Sequence, residues 1–168
     1  WNRKTNRISQ LFRAWKNDMP EVILTGASGR IEGRYSPGKK ENAPIALILH
    51  PHPKAQGHMN NPVAVQLFHL FMKRGFATLR FNFRGVGGSE GSWDHGQGEV
   101  QDALAVIAAH QMADQALVLG GFSFGGYVAS QAAAQLPAAA RAQRLVLVGP
   151  AVVNFEMAAV PDDTLVVH

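Results

Sequence analysis

Residues 121–125 read Gly121-Phe122-Ser123-Phe124-Gly125, a G-x-S-x-G pattern. It follows the apolar run Ala116-Leu117-Val118-Leu119 and precedes Gly126-Tyr127-Val128-Ala129. Between a strand and a helix, a serine can sit on a sharp turn with its hydroxyl clear of the sheet, as a nucleophile requires. Small neighbours are needed because such a turn is strained and passes close to other chain segments. The pattern is common by chance, so its context decides, and the strand–turn–helix context makes Ser123 the candidate nucleophile.

Acyl transfer also needs N–H donors aimed at the developing oxyanion. In strand–turn–helix sites one comes from the residue after the serine, here Phe124, and the other from a loop after an earlier strand. That loop is His50-Pro51-His52-Pro53-Lys54, which follows the apolar run Ile45-Ala46-Leu47-Ile48-Leu49. Pro51 and Pro53 lack an N–H, which leaves His52 as the second backbone donor. The plainer reading of the same residues is a stiff proline-rich turn. The pair His50 and His52 also invites a metal reading, but H-x-H-x-D-H needs an acid and a histidine where Lys54 and Ala55 stand. No metal is expected.

A third segment, Arg80-Phe81-Asn82-Phe83-Arg84-Gly85-Val86-Gly87-Gly88-Ser89-Glu90-Gly91, suggests phosphate or dinucleotide binding at first sight. Glu90 stands where the third glycine of G-x-G-x-x-G belongs, and no Gly-Lys-Ser/Thr follows, so no nucleotide cofactor is expected. Asn82, Arg84, Asp94, His95, Glu99 and Asp102 read as residues that fix loops and helix ends rather than as reacting groups.

These segments need a scaffold that brings them to one edge. Residues 21–25 and 31–35 read as a strand pair turning through Gly26-Ala27-Ser28-Gly29. The 45–49 run reads as a strand buried on both faces. Asn61-Pro62 opens a helix that stops at Gly75. Further strands are expected at 76–83, 116–119, 145–148 and 164–167. Helices are expected around Val100, Ala103, Leu104 and Ile107, and over 125–136. The alternation implies an α/β fold with a mostly parallel central sheet and helices on both faces. Chemistry in such sheets gathers at the carboxyl ends of the strands.

The chain resembles the α/β-hydrolase superfamily through the strand–Ser123 turn–helix and the R-G-x-G-x-S-x-G loop over 84–91. More narrowly it resembles a bacterial group of small serine hydrolases near the dienelactone hydrolases and serine aminopeptidases. Leu49-His50-Pro51-His52-Pro53, Gly57-x-Met59-x-Asn61, Arg80 to Gly87, and Asp94-His95-Gly96-x-Gly98-Glu99 carry that likeness. The resemblance implies a serine nucleophile, a histidine base, an acid partner and no cofactor. It carries over Ser123 with the Phe124 and His52 donors, but not the other two members of a triad. In this fold the order is serine, acid, histidine. Asp162 and Asp163 precede the last strand and fall at the wrong edge, Glu156 is a weak alternative, and His168 reads as a strand-end residue. His50, His52, His58, His69, His95 and His110 all precede the serine. The acid and histidine are therefore expected beyond His168, in a chain truncated relative to its family.

Composition bounds the rest. The 168 residues suit one domain, and no apolar run is long enough for a bilayer. Residues 1–20 hold Arg3, Lys4, Arg7, Arg13 and Lys16 against Asp18, a net +4 that equals the whole-chain charge. The neutral remainder offers no electrostatic footprint for nucleic acid. Residues 1–18 read as a basic leader outside the domain, with Ile8, Leu11, Phe12 and Trp15 at amphipathic-helix spacing, and residues 19–168 as the α/β-hydrolase domain without its C-terminal part. The absence of cysteine excludes disulfides and thiolate sites and fits a cytoplasmic protein. The expected function is hydrolysis of small carboxylic esters, thioesters or amides through an acyl-serine, impaired in this chain. Its partner would be a small-molecule acyl substrate, with no nucleic acid and no membrane, and homo-oligomerisation left open. The alternatives are a non-catalytic binding or interaction protein on the same fold and, more weakly, an acyltransferase.

Overall fold

The computed structural model describes residues 20–168; the leader and its helical spacing lie outside them. Strands β1 (Glu21–Gly26) and β2 (Gly29–Ser36) form an antiparallel hairpin. Then follow β3 (Ile45–Leu49), α1 (Pro62–Lys73), β4 (Ala77–Phe81), α2 (Gln97–His110), β5 (Leu117–Phe122), α3 (Phe124–Gln135), β6 (Ala142–Val148) and β7 (Leu165–Val167). They build a seven-stranded sheet in the order β1-β2-β4-β3-β5-β6-β7. From β4 through β7 the neighbours run parallel, while β2 meets β4 antiparallel. The mostly parallel α/β sheet expected from the sequence is present. No helix among the described residues is long and apolar enough to cross a membrane.

All five residues of β3 are buried, yet they serve two cores. Ile45, Leu47 and Leu49 join Leu117, Leu119, Leu145 and Leu147 under α2 and α3. Ala46 and Ile48 join Val118, Val146 and the Ala64, Leu67, Phe68 and Phe71 face of α1 on the opposite side. The period-two alternation of a strand divides one apolar run between two layers.

Helix boundaries follow their capping residues. The Asn61 side chain accepts the Val63 N–H at 3.0 Å, with Pro62 in the first turn. At the far end Gly75, at φ +92°, donates to the Met72 carbonyl while Phe76 donates to Phe71, the paired bonds of a Schellman end. Buried Glu99 caps α2 by accepting the N–H groups of Gly96 (2.8 Å) and Asp94 (3.1 Å).

Several strands differ from their expected limits, β6 by starting three residues early at Ala142. β4 stops at Phe81 because the Phe83 N–H leaves the ladder to bond the His50 ring. β5 continues through Gly120 and Gly121, residues that read as a turn. Gly120 pairs between Ile48 and Val146, and a Cβ there would stand 2.8 Å from Ile48 Cδ1.

The loop after β4 is held by a buried ion pair. Arg84 donates from Nε and Nη2 to the two Asp102 oxygens at 2.6 and 2.8 Å. Asp102 Oδ1 also accepts the Ala27 N–H at 2.9 Å, fastening the β1–β2 turn to α2. The hydrogen bond to Asp102 raises the guanidinium pKa, so Arg84 stays charged. Removing one partner strands a buried charge. Asp102→Ala is expected to lower the unfolding free energy by about 3–5 kcal/mol in urea titrations, and Asp102→Asn by less.

Candidate active site

Ser123 joins β5 to α3 at φ 54°, ψ −116°, a conformation that type II′ turns reserve for glycine at their first central position. An L-residue there carries strain of order 1–3 kcal/mol. The surroundings fix it. The Ser123 N–H donates to the Val148 carbonyl at 3.0 Å, and its own carbonyl accepts the Gly126 N–H at 2.9 Å. A Cβ on Gly121 would strike the Gly125 carbonyl, and one on Gly125 would strike the Leu49 carbonyl. Both glycines of G-x-S-x-G are therefore set by chain-on-chain contact, which brings the first turn of α3 against the end of β3.

His52 lies beside this turn. Its ring sits 5.1 Å from that of Phe124, 4.5 Å from Trp93 and 5.7 Å from Phe155, centroid to centroid. The His52 carbonyl accepts N–H groups from Ala55 (3.0 Å) and Gly57 (2.9 Å), and its Nδ1 accepts the Lys54 N–H at 3.1 Å. Among the described residues, neither the His52 N–H nor the Phe124 N–H makes a hydrogen bond. Both predicted donors therefore lie in neighbouring residues with their protons uncommitted. The Ser123 hydroxyl makes no hydrogen bond among the described residues either.

The rings of His50 and His52 do not converge. His50 is fully buried, packed 4.3 Å from the Phe83 ring, whereas His52 faces the aromatic group above the serine turn. The polar residues of the Arg84 loop turn away from Ser123. Asn82 Oδ1 accepts the Met59 N–H at 2.8 Å, and its Nδ2 donates to Glu32 at 2.8 Å. Arg84, Asp102 and Glu99 are spent on the loop bonds described above. His95 stands beside Trp93, with ring centroids 5.9 Å apart. Asp163 pairs with exposed Arg144 at 3.0 Å, near the start of β6 and away from the serine edge. The loop-fixing part read for Asn82 is present, though its partners, 23 and 50 positions away, were not legible, and the clamping role of the His50 ring was missed because Phe83 lies 33 positions away.

Comparison with known proteins fits this geometry. The family model for X-Pro dipeptidyl-peptidases (S15 family) matches residues 34–151. A protein of unknown function from Agrobacterium tumefaciens, classed with the α/β-hydrolases, superposes with TM-score 0.78 at 41% identity, over 88% of this chain and 68% of its own. The chain belongs to the S15 family of α/β-hydrolases. An α/β serine hydrolase without a lid from Xanthomonas campestris also superposes at TM-score 0.78, with 32% identity over 89% of this chain and 70% of that one. An uncharacterized protein of Rickettsia prowazekii is 47% identical over 123 residues, 71% of this chain. This α/β-hydrolase chain spans about half the length of that curated relative, 51%.

Burial shifts the titration of several histidines. It pushes the His50 pKa down to about 3, helped by repulsion from His58 and opposed by the hydrogen bond to Pro51. Burial also lowers His52 and His69. In the unfolded chain these rings titrate near pH 6.5, so the unfolded state binds the protons first and acid favours it. For His50 the stabilising contribution is complete above about pH 6.5 and is lost as pH falls toward 3. Unfolding free energy measured in urea between pH 7 and 4.5 is expected to rise with pH, by up to about 1.4 kcal/mol per pH unit from His50. A flat profile over that range contradicts the buried neutral His50.

The strained turn yields a second expectation. Ser123→Gly relieves the positive φ at an entropic cost of about 0.5–1 kcal/mol. Thermal unfolding should show a net stabilisation of about 1 kcal/mol, an unusual sign for replacing a serine with glycine.

Proposed function

We propose that Ser123 is the nucleophile of a serine hydrolase acting on small carboxylic esters, thioesters or amides. The observation that carries this reading is the backbone of Ser123, held at φ 54° between β5 and the first N–H of α3. Such strain persists only where the surroundings over-determine it, and it marks working positions. The Ser123 hydroxyl oxygen attacks the acyl carbon and its proton passes to a histidine base. The carbonyl oxygen becomes an oxyanion held by the N–H groups of Phe124 and His52. Collapse expels the alcohol, thiol or amine, which takes the proton from the imidazolium. Water, deprotonated by the same base, then hydrolyses the acyl-serine, restoring Ser123 and releasing the acid.

The proposal assigns the base and its orienting acid to the longer protein rather than to these 168 residues. Its support is positional. β7 pairs with β6 through Val148 and Val167, and the Val167 carbonyl accepts the Gly149 N–H at 2.7 Å. The chain therefore reaches His168 at the same sheet edge that carries Ser123, where an acid-bearing turn would be within reach of the site.

A fluorophosphonate probe tests the reading on this chain and on a C-terminally extended form, with Ser123→Ala in parallel. Labelling of the extended form, lost in the alanine variant, is the expected result, with labelling of the 168-residue form at least about 1,000-fold slower. If both forms are folded and neither labels, the protein is a non-catalytic member of the fold.

A further inference from the structure

His50 is the least exposed histidine in the described chain and has no part in the proton transfers above. Its two ring nitrogens are both engaged. Nε2 lies 3.0 Å from the Phe83 nitrogen, whose N–H can only donate, so Nε2 is the accepting nitrogen. The proton of the neutral ring is then on Nδ1, which lies 2.6 Å from the Pro51 carbonyl oxygen and donates to it. Two backbone partners thus fix one tautomer and one ring orientation.

The Pro51 carbonyl and the His52 N–H belong to the same peptide plane. No cis peptide is present, and in a trans peptide the oxygen and the amide hydrogen point in opposite directions. Drawing the oxygen inward to a buried ring turns the His52 N–H outward, to the side on which the His52 ring meets Phe124. The next peptide is held as firmly, its oxygen bound by Ala55 and Gly57. Gly57 makes this possible, since a Cβ there would strike the Pro51 carbonyl.

We infer that His50 is a positioning residue that aims the His52 N–H at the oxyanion, and that it does so as a neutral Nδ1–H imidazole. The inference rests on Ser123 and His52 acting as proposed above. A protonated ring would present N–H to the Phe83 N–H and break the arrangement, so full burial of the ring serves its role. The bond to Phe83 also ties the oxyanion loop to the end of β4, giving the donor a reference point in the sheet.

The test uses the extended protein and a p-nitrophenyl ester of a short acid. His50→Leu removes both bonds, while His50→Asn retains a donor near the Nδ1 position. Loss of alignment at one oxyanion donor should lower kcat about 100-fold in His50→Leu, with KM changed less than about threefold. His50→Asn should recover at least about 10-fold of that loss. The inference is overturned if folded His50→Leu keeps its kcat, or if His50→Asn falls as far as His50→Leu. Should His50→Leu not fold, nitrogen NMR of the wild-type ring decides: a proton on Nδ1 supports the inference and one on Nε2 overturns it. Absence of Ser123-dependent turnover in the wild-type extended protein removes the nucleophile reading itself, a result distinct from normal turnover in the variants.

Discussion

The contact between Gly125 and the Leu49 carbonyl is the constraint on which the candidate site depends. With no side chain at Gly125, the first turn of α3 comes directly against the carboxyl end of β3. One interface then sets two things at once: the positive φ of Ser123 and the distance from the Phe124 N–H to the loop that starts at His50. A larger residue at Gly125 would move the helix away from β3 and part the two donors. Backbone packing, rather than side-chain attraction, therefore aligns the serine turn with the oxyanion loop. The cost is a strained residue, and two hydrogen bonds through Ser123 to Val148 and Gly126 hold it.

Around that contact the loops at the sheet edge are fixed by buried polar pairs. The Arg84–Asp102 pair joins the β4 loop to α2 and to the hairpin turn. Asn82 grips Met59 and Glu32, and Ser89 donates to the Asn82 carbonyl while accepting the Glu32 N–H. Buried ion pairs contribute little net stability, since desolvation offsets most of their attraction. Their effect here is to give each loop one allowed position. Arg80 is the outlier: buried in β4, its Nη1 donates to the Met59 carbonyl at 2.8 Å and it lies over the Phe68 ring. Burial lowers its pKa to about 10, which leaves it charged at neutral pH.

Much of this was legible in the sequence because it is local. The apolar run of β3, the Asn61-Pro62 start of α1 and the strand–turn–helix around Ser123 each declare themselves within a few residues. The candidate donors were legible too, since proline in Pro51 and Pro53 removes the competing N–H groups. Strand order was not, because the placement of β3 between β4 and β5 is decided by long-range packing. Arg80 was placed in its strand by the sequence, but its bond to the Met59 carbonyl, 21 positions away, was not legible. The Asp102 partnership spans 18 positions to Arg84 and 75 to Ala27, and no local pattern encodes such a distance. His50 had no assigned part in the sequence, and its ring bond appears only when Phe83 is placed beside it.

The central claim is geometric: an oxyanion formed at Ser123 is held by the N–H groups of Phe124 and His52. A crystal structure of the extended protein carrying a covalent alkyl phosphonate tests it most directly. The account predicts phosphorus bonded to the Ser123 hydroxyl oxygen, with one phosphoryl oxygen about 2.7–3.1 Å from both backbone nitrogens. A phosphoryl oxygen held by other groups, with His52 N–H turned away, contradicts it.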